Sequence, residues 1–371
     1  MPRSLCLSFL PVLSLACCLT SSLVPLDVSA SDEAWTTNVY FENDLFGETD
    51  QNYTNGIRVS WVSPDTASYY DDPEFPAWVR AINRKLRFFN RDDDDLQHNL
   101  VISLGQLIYT PSNIEATEVI PDERPYAAYL YAGFAYHTRS KELLDTVEIN
   151  LGVIGPAAQG QEAQDLIHDI RNFDKFEGWD NQLNNEPALT LIYEHKRRWQ
   201  PQAFSKNGRL EHDFIAHSGI SLGNIASYVN VGGEYRIGWD LPNDFGTSAV
   251  RSGGDNSAPG RGDLRRRGQH SRNHHTTRPT KRHTKSAAIY GLHAFVSTDV
   301  RWVARDIFLD GNSFRNSHSV TKEKLVADIS SGLSFLTGAW KISFAWVIRT
   351  REFKQQPHHH KYGSLSLSYS L

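Results

Sequence analysis

Beyond its first thirty residues the chain has no cysteine, since Cys6, Cys17 and Cys18 are the only three it contains. A leader-less chain would therefore have no thiol nucleophile, disulfide scaffold or cysteine metal site. Past the leader there is also no apolar run approaching the roughly 20 residues that a membrane-spanning helix needs, and mean hydropathy is −0.46, which excludes helical spans. Charge of one sign is missing too. With 38 Lys and Arg against 43 Asp and Glu, the net charge is −5 and the pI near 6.3, so no basic field calls for nucleic acid. No segment identifies a protein partner. A closed β-barrel survives these exclusions, because its lipid-facing residues alternate with polar lumen-facing ones and average hydropathy stays low.

Residues 1–30 have the layout of a secretory signal: Arg3, the apolar stretch Leu5 to Val24, and the small-x-small site Val28-Ser29-Ala30. Residues 31–371 are then expected to form one exported domain.

Period-two alternation dominates that domain. Leu365, Leu367, Tyr369 and Leu371 share one face against serines on the other. Ile342, Phe344, Trp346 and Ile348 repeat the pattern, as do Val229, Val231, Tyr235, Ile237 and Trp239 against Asn230, Glu234 and Arg236. About twelve such runs predict strands near 36–46, 55–63, 98–108, 127–137, 144–154, 187–197, 211–223, 227–239, 287–304, 323–337, 339–351 and 361–371. The expected fold class is all-β, a transmembrane antiparallel β-barrel with a short helical segment near the outer rim. Tyr40, Trp61, Tyr129, Tyr131, Trp239, Trp302 and Trp346 are expected in interface girdles, and Glu148, Glu194, Glu234 and Arg236 in a wet lumen. A soluble β-sandwich alternates as well, but export and strands of about ten residues favour the barrel.

If the mature N-terminus is periplasmic, connections after odd strands face outward. Loop 44–54 and segment 155–186 then share the outer rim, whereas 64–97, with Asp92 to Asp95, and the insert 240–286 are periplasmic. The insert's Arg265-Arg266-Arg267, His274-His275 and Lys281-Arg282-His283 lie among Gly, Ser, Thr and Pro and read as a disordered basic loop. His358-His359-His360 points its side chains in divergent directions and is a poor metal site.

The outer rim gathers oxygen-bearing side chains. Asn43, Asp44, Thr54 and Asn55 cluster around a turn, while Glu42, Glu48 and Asp50 read as solvated loop carboxylates because their spacing matches no EF-hand. After the Gly155-Pro156 break, Ala163, Leu166, Ile167 and Ile170 recur at helical spacing and predict a short helix packing that face on the rim. His168 lies on this helix. Histidine is the commonest general base near neutral pH, though a lone histidine is more often structural.

Asn43-Asp44, Tyr53-Thr54-x-Gly56, Ile108-Tyr109-Thr110-Pro111-Ser112, Asp122-Glu123-Arg124, Gly152-Val153-Ile154-Gly155-Pro156, Gly160-Gln161-Glu162-x-Gln164, His168 and Trp179-Asp180-Asn181-Gln182 follow one another in an order that resembles the outer-membrane lipid A 3'-O-deacylases. The resemblance implies a twelve-stranded barrel in the outer membrane of a Gram-negative bacterium, with lipopolysaccharide as substrate and Ca²⁺ as cofactor. It implies His168 as catalytic base, Asn43, Asp44 and Thr54 as catalytic and calcium-side residues, and Asp174 where the family can have a glutamate. Asn113-Ile114-Glu115-Ala116 stands where a relative has substrate-contacting basic residues. Two other readings remain: an outer-membrane phospholipase with Ser60 or Ser63 as nucleophile, and a porin-like barrel without catalysis.

Overall fold

The computed structural model describes residues 35–44, 52–65, 96–204, 210–247 and 290–370, together with 77, 80, 81 and 84. The signal, the Asp92 to Asp95 run, Glu48, Asp50 and the three basic clusters of the insert lie outside the described residues. Twelve strands form one closed barrel: β1 (Thr36–Asn43), β2 (Asn52–Val62), β3 (Gln97–Thr110), β4 (Ala127–Arg139), β5 (Leu143–Ile154), β6 (Glu186–Ala203), β7 (Leu210–Gly223), β8 (Ala226–Trp239), β9 (Tyr290–Asp306), β10 (Leu325–Thr337), β11 (Trp340–Arg349) and β12 (His360–Ser370). Each strand pairs with its neighbours in sequence, and β1 closes on β12, from Thr36 opposite Ser370 to Asn43 opposite Gly363. No edge is left to be satisfied by lipid, which cannot hydrogen bond.

The alternation sorts the two surfaces. In β6 Thr190, Glu194, Lys196 and Arg198 are buried inside, whereas Leu189, Leu191 and Tyr193 are exposed outside. Inward charges meet partners: Arg58 donates to Glu148 at 3.2 Å, Arg198 and Arg236 both donate to Asp213 Oδ2 at 2.8 and 2.7 Å, and His217 Nε2 lies 2.7 Å from Asp299. Breaking one such pair would strand a buried charge at a cost of about 3–5 kcal/mol.

Three expectations change. Trp61, Trp239, Trp302 and Trp346 do face outward, but Tyr40, Tyr129 and Tyr131 fall on the inward parity of their strands and are buried in the lumen. Glu42 shares that parity and is buried rather than solvated. Tyr53 and Thr54, expected in the 44–54 loop, belong to β2.

Residues 240–247 also differ from expectation. Instead of starting a solvated insert, they turn back into the barrel mouth. Arg139 on β4 donates to the Asn243 carbonyl at 2.8 Å and Arg198 on β6 to its side chain at 2.8 Å. Asp244 accepts from Arg236 on β8 and from Lys341 on β11, and Thr247 N donates to Glu234 at 3.0 Å. This strap crosses the lumen beside the chain termini, at the rim away from the His168 segment.

Candidate functional site on the outside of the wall

At the rim far from the termini, outward-facing residues disappear from view. Ile102 and Leu104 on the outer face of β3 are 46% and 52% exposed, but Ile108 and Thr110 on the same face are 1% and 0%. On β4 Leu130 is exposed and Ala128 buried. The covering is the β5–β6 connection: a 3-10 turn (Pro156–Ala158), helix α1 (Gly160–Arg171) and a second 3-10 turn (Trp179–Asn181).

Gly155, at φ 95°, makes the break that turns the chain over the wall. Gly160 then sets α1 close: a Cβ there would stand 2.3 Å from that of Ala128. Ile108, Tyr126, Ala128, Ala158, Phe176 and Trp179 form the core between helix and wall. Gln106 on β3 clamps the turn by donating to the Ala158 carbonyl at 2.7 Å, and Trp179 Nε1 donates to Gln164 Oε1 at 3.0 Å.

The packed face is rotated from the one the sequence suggested: Ala163 does rest on the core beneath the helix and Ile167 is half-buried, but Leu166 and Ile170 turn away from the wall. Gly160, Gln164 and His168 form the buried stripe, while Leu166 and Ile170 are 61% and 60% exposed. The reason is the surrounding solvent. Around a lipid-embedded wall the outer face of a helix is the apolar one, and the polar stripe is reserved for the enclosed site.

His168 ends that stripe. The helix stops at Asn172, whose left-handed conformation, φ 56° and ψ 49°, reverses the chain. Phe173 N donates back to the His168 carbonyl at 2.9 Å, which brings the Asp174 carbonyl to 2.5 Å from His168 Nδ1. A carbonyl oxygen only accepts, so Nδ1 carries a hydrogen, and in the neutral ring the lone pair is then on Nε2. Phe173 and Phe176 hold the ring edge-on, with centroids 6.0 and 5.8 Å away. Asp174 thus acts at His168 through its main chain, and its side chain is exposed. The resemblance had placed Asp174 among the catalytic residues, with it or a neighbouring group orienting the histidine.

Asn43, Asp44 and Thr54 are buried to 4%, 0% and 3% exposure at the ends of β1 and β2. Asn43 has the outward parity of Val39 and Phe41 and pairs with Asn55. In β2 the register slips between Tyr53, opposite Tyr109, and Asn55, opposite Ile108. Thr54 is the extra residue of this bulge, which re-aims its side chain. Its hydroxyl lies 2.7 Å from that of Thr110, on the outer face of β3. The site residues of β1, β2 and β3 therefore share the lipid side of the wall with α1, which packs on β3 and β4. Amide, carboxylate and hydroxyl oxygens make a hard donor set, suited to Ca²⁺ and lacking the nitrogen or sulfur ligands zinc prefers. Among the described residues no three His, Cys, Asp or Glu gather as a metal site, here or elsewhere.

Thr110 and Gln164 were not singled out as site residues from the sequence, because a bulge and a buried polar helix stripe leave no mark on hydrophobic periodicity. The serine alternative is poorly placed. Ser60 is on the inward face, accepting from Asn38 at 3.3 Å, and Ser63 is near the opposite rim, donating to the Pro64 carbonyl at 2.9 Å.

A sequence profile for the family described as "Outer membrane protein LpxR" matches residues 13–371. The chain belongs to the LpxR family. This is the family of outer-membrane lipid A 3'-O-deacylases that its motifs resemble. Among solved structures it is similar to LpxR from Salmonella typhimurium, with a TM-score of 0.63 and 19% identity over 90% of this chain and 99% of that one. The β domain of the Bordetella autotransporter BrkA aligns over 91% of this chain and 99% of its own, at 7% identity and a TM-score of 0.37. Comparison with curated proteins gives no match. The LpxR-family barrel is an outer-membrane protein of the Gram-negative envelope.

Proposed function

We propose that this LpxR-family barrel is a calcium-dependent ester hydrolase of the outer leaflet, removing the 3'-linked acyl or acyloxyacyl chain from lipid A. The observation that carries this reading is the 2.5 Å contact between His168 Nδ1 and the Asp174 carbonyl: in the neutral ring it assigns the hydrogen to Nδ1 and makes Nε2 the atom able to take a proton. A water polarised by Nε2 attacks the ester carbonyl, and the water's proton passes to the imidazole. The ester C–O bond then breaks, and the same proton returns from Nε2 to the leaving sugar oxygen. A free carboxylic acid and a sugar hydroxyl result, with the histidine restored. Asn43, Asp44 and Thr54 would hold Ca²⁺, which when bound supplies a positive centre for the developing oxyanion.

The placement of these groups on the lipid side of the wall suits a substrate whose acyl chains never leave the bilayer. Leu166 and Ile170 then face the same acyl layer as Leu104 and Leu130. With the strap at the other rim and the site rim outward, the base meets the outer leaflet. The strap also speaks against a porin-like role, since Asn243 to Thr247 cross the mouth on bonds to four strands, β4, β6, β8 and β11. The test is lipid A extracted from Gram-negative cells with and without the protein. Loss of the 3'-linked chain supports the reading, and identical lipid A masses at confirmed outer-membrane expression count against it.

A further inference from the structure

The site rim is electrically divided. Over β3 to β6 the exposed side chains are rich in acids, with Glu115, Glu118 and Asp122 on one connection and Glu162, Asp174 and Glu177 on the next. Over β9 to β12 the balance reverses. Arg315, Lys324, Arg351, Lys354 and Lys361 are all exposed there, and no carboxylate of the 307–324 and 350–359 connections is. Asp310, Glu323 and Glu352 are each partly or fully withdrawn, with Asp310 occupied by Lys322 at 2.7 Å and Glu352 by Arg124 at 3.2 Å.

These cations are held in place by backbone. The two connections continue the β10–β11 ladder above the wall: Glu323 N donates to the Glu352 carbonyl at 2.7 Å, Lys354 N to that of Thr321 at 2.9 Å, and Thr350 N to that of Ala327 at 2.9 Å. Lys324 and Arg351 flank the same bond between Glu323 and Glu352, so two like charges stand side by side. Neither makes an ion pair with a described residue, and neither do Lys354 and Lys361. Like charges on neighbouring strands repel unless an anion lies between them.

Lys361 sets the depth. It is the second residue of β12, on the outer face opposite Ile348 and four residues above Leu365. A lysine at the top of an apolar stripe lifts its ammonium to the headgroup layer. Because the barrel closes, β12 also adjoins β1 and its Asn43.

We propose that Lys324, Arg351, Lys354 and Lys361 form an anion-binding crescent that grips the phosphate of a phosphorylated glycolipid packed against the β10–β12 wall. A lipid is the occupant the surface fits, since the cations border the outward apolar residues Leu325, Ile329 and Ile348 and so meet headgroup and chains together. The crescent is separate from the hydrolytic groups. It positions lipid at the wall and does not act on the ester.

Binding without hydrolysis tests it. The purified full chain in detergent with EGTA is titrated with bisphosphorylated lipid A and with the same lipid enzymatically dephosphorylated, and bound lipid is counted by native mass spectrometry. The expected result is a preference for the phosphorylated form on the order of tenfold or more, from electrostatic gains typical of several cations at an anionic surface. K324Q/R351Q/K354Q/K361Q should abolish that preference while migrating as a folded, heat-modifiable barrel. Equal binding of both lipids by the wild type overturns the proposal even if the variant does not fold. So does an undiminished preference in the variant, or displacement of the lipid by a stoichiometric amount of inorganic phosphate. None of these outcomes depends on whether His168 hydrolyses an ester.

Discussion

The Nδ1 of His168 faces the main-chain carbonyl of Asp174 at 2.5 Å, not the carboxylate of that residue. The tautomer is thus set by a backbone turn that begins at the left-handed Asn172. Asp174→Asn should keep activity within about threefold, because the amide side chain leaves the carbonyl untouched. His168→Gln should lose about 10²–10⁴-fold, the usual worth of a general base. Initial rates of fatty-acid release by the two purified variants check this. An inactive D174N with intact helix α1 would give the carboxylate back its orienting role.

Helix α1 is held by close approach and by one large anchor. Trp179 is 1% exposed beneath it and bonded to Gln164. Trp179→Ala should cost the helix about 3–5 kcal/mol of docking energy. Activity should then collapse while the barrel keeps its shifted mobility on unheated gels, since no strand is touched. Gly160→Leu should do the same by pushing the helix off Ala128. Proteolysis within 160–171 in these variants, but not in the wild type, is the expected signature.

Most of the barrel was legible because lipid on one side and a polar lumen on the other enforce strict period two. Twelve strands, their pairing in sequence order and the β1–β12 closure followed from that rule. What was not legible were the features that depart from periodicity. The bulge at Thr54 inserts one residue and shifts the alternation by one, so that Tyr53 joins the inward face of Arg58 and Ser60 and no single period-two run spans the site. The buried stripe of Gly160, Gln164 and His168 reads as a solvent face, since a helix with apolar surroundings on both sides buries its small and polar residues against the wall and leaves Leu166 and Ile170 outside. The strap reads as loop because most of its stability comes from Arg139, Arg198 and Lys341, which are far away in sequence, with Arg236 the one near partner.

The proposed calcium role predicts a reversible metal requirement. EGTA should remove hydrolysis and Ca²⁺, but not Zn²⁺, should restore it. Thr54→Val removes one oxygen and the hydroxyl contact with Thr110. It should raise the Ca²⁺ concentration for half-maximal activity about tenfold, with little change at saturation. Activity in EGTA equal to that in Ca²⁺ would contradict the donor assignment.

The strap should keep the barrel closed. Burial alone would raise the Asp244 carboxyl, but Lys341 and Arg236 hold it far below its ordinary value of 3.8. A carboxyl lowered by folding stabilises the folded state above its unfolded value, and that contribution is lost only as pH falls further toward the folded value. Wild-type protein in planar bilayers should therefore show negligible conductance from neutral pH down to about pH 4, and open only at stronger acidity. Asp244→Asn leaves Arg236 and Lys341 without their counter-charge and should conduct across the whole range. Silent D244N channels would mean that other contacts suffice to seal the mouth.

The central claim is that His168 hydrolyses a lipid A ester from the lipid side of the wall. Its most direct test is the mass spectrum of purified lipid A after incubation with Ca²⁺ and either wild-type or H168A protein in detergent. The account predicts loss of the 3'-linked chain with release of the matching fatty acid for the wild type, and unaltered lipid A for a folded H168A barrel. Unaltered lipid A with both proteins, or equal cleavage by both, would contradict it.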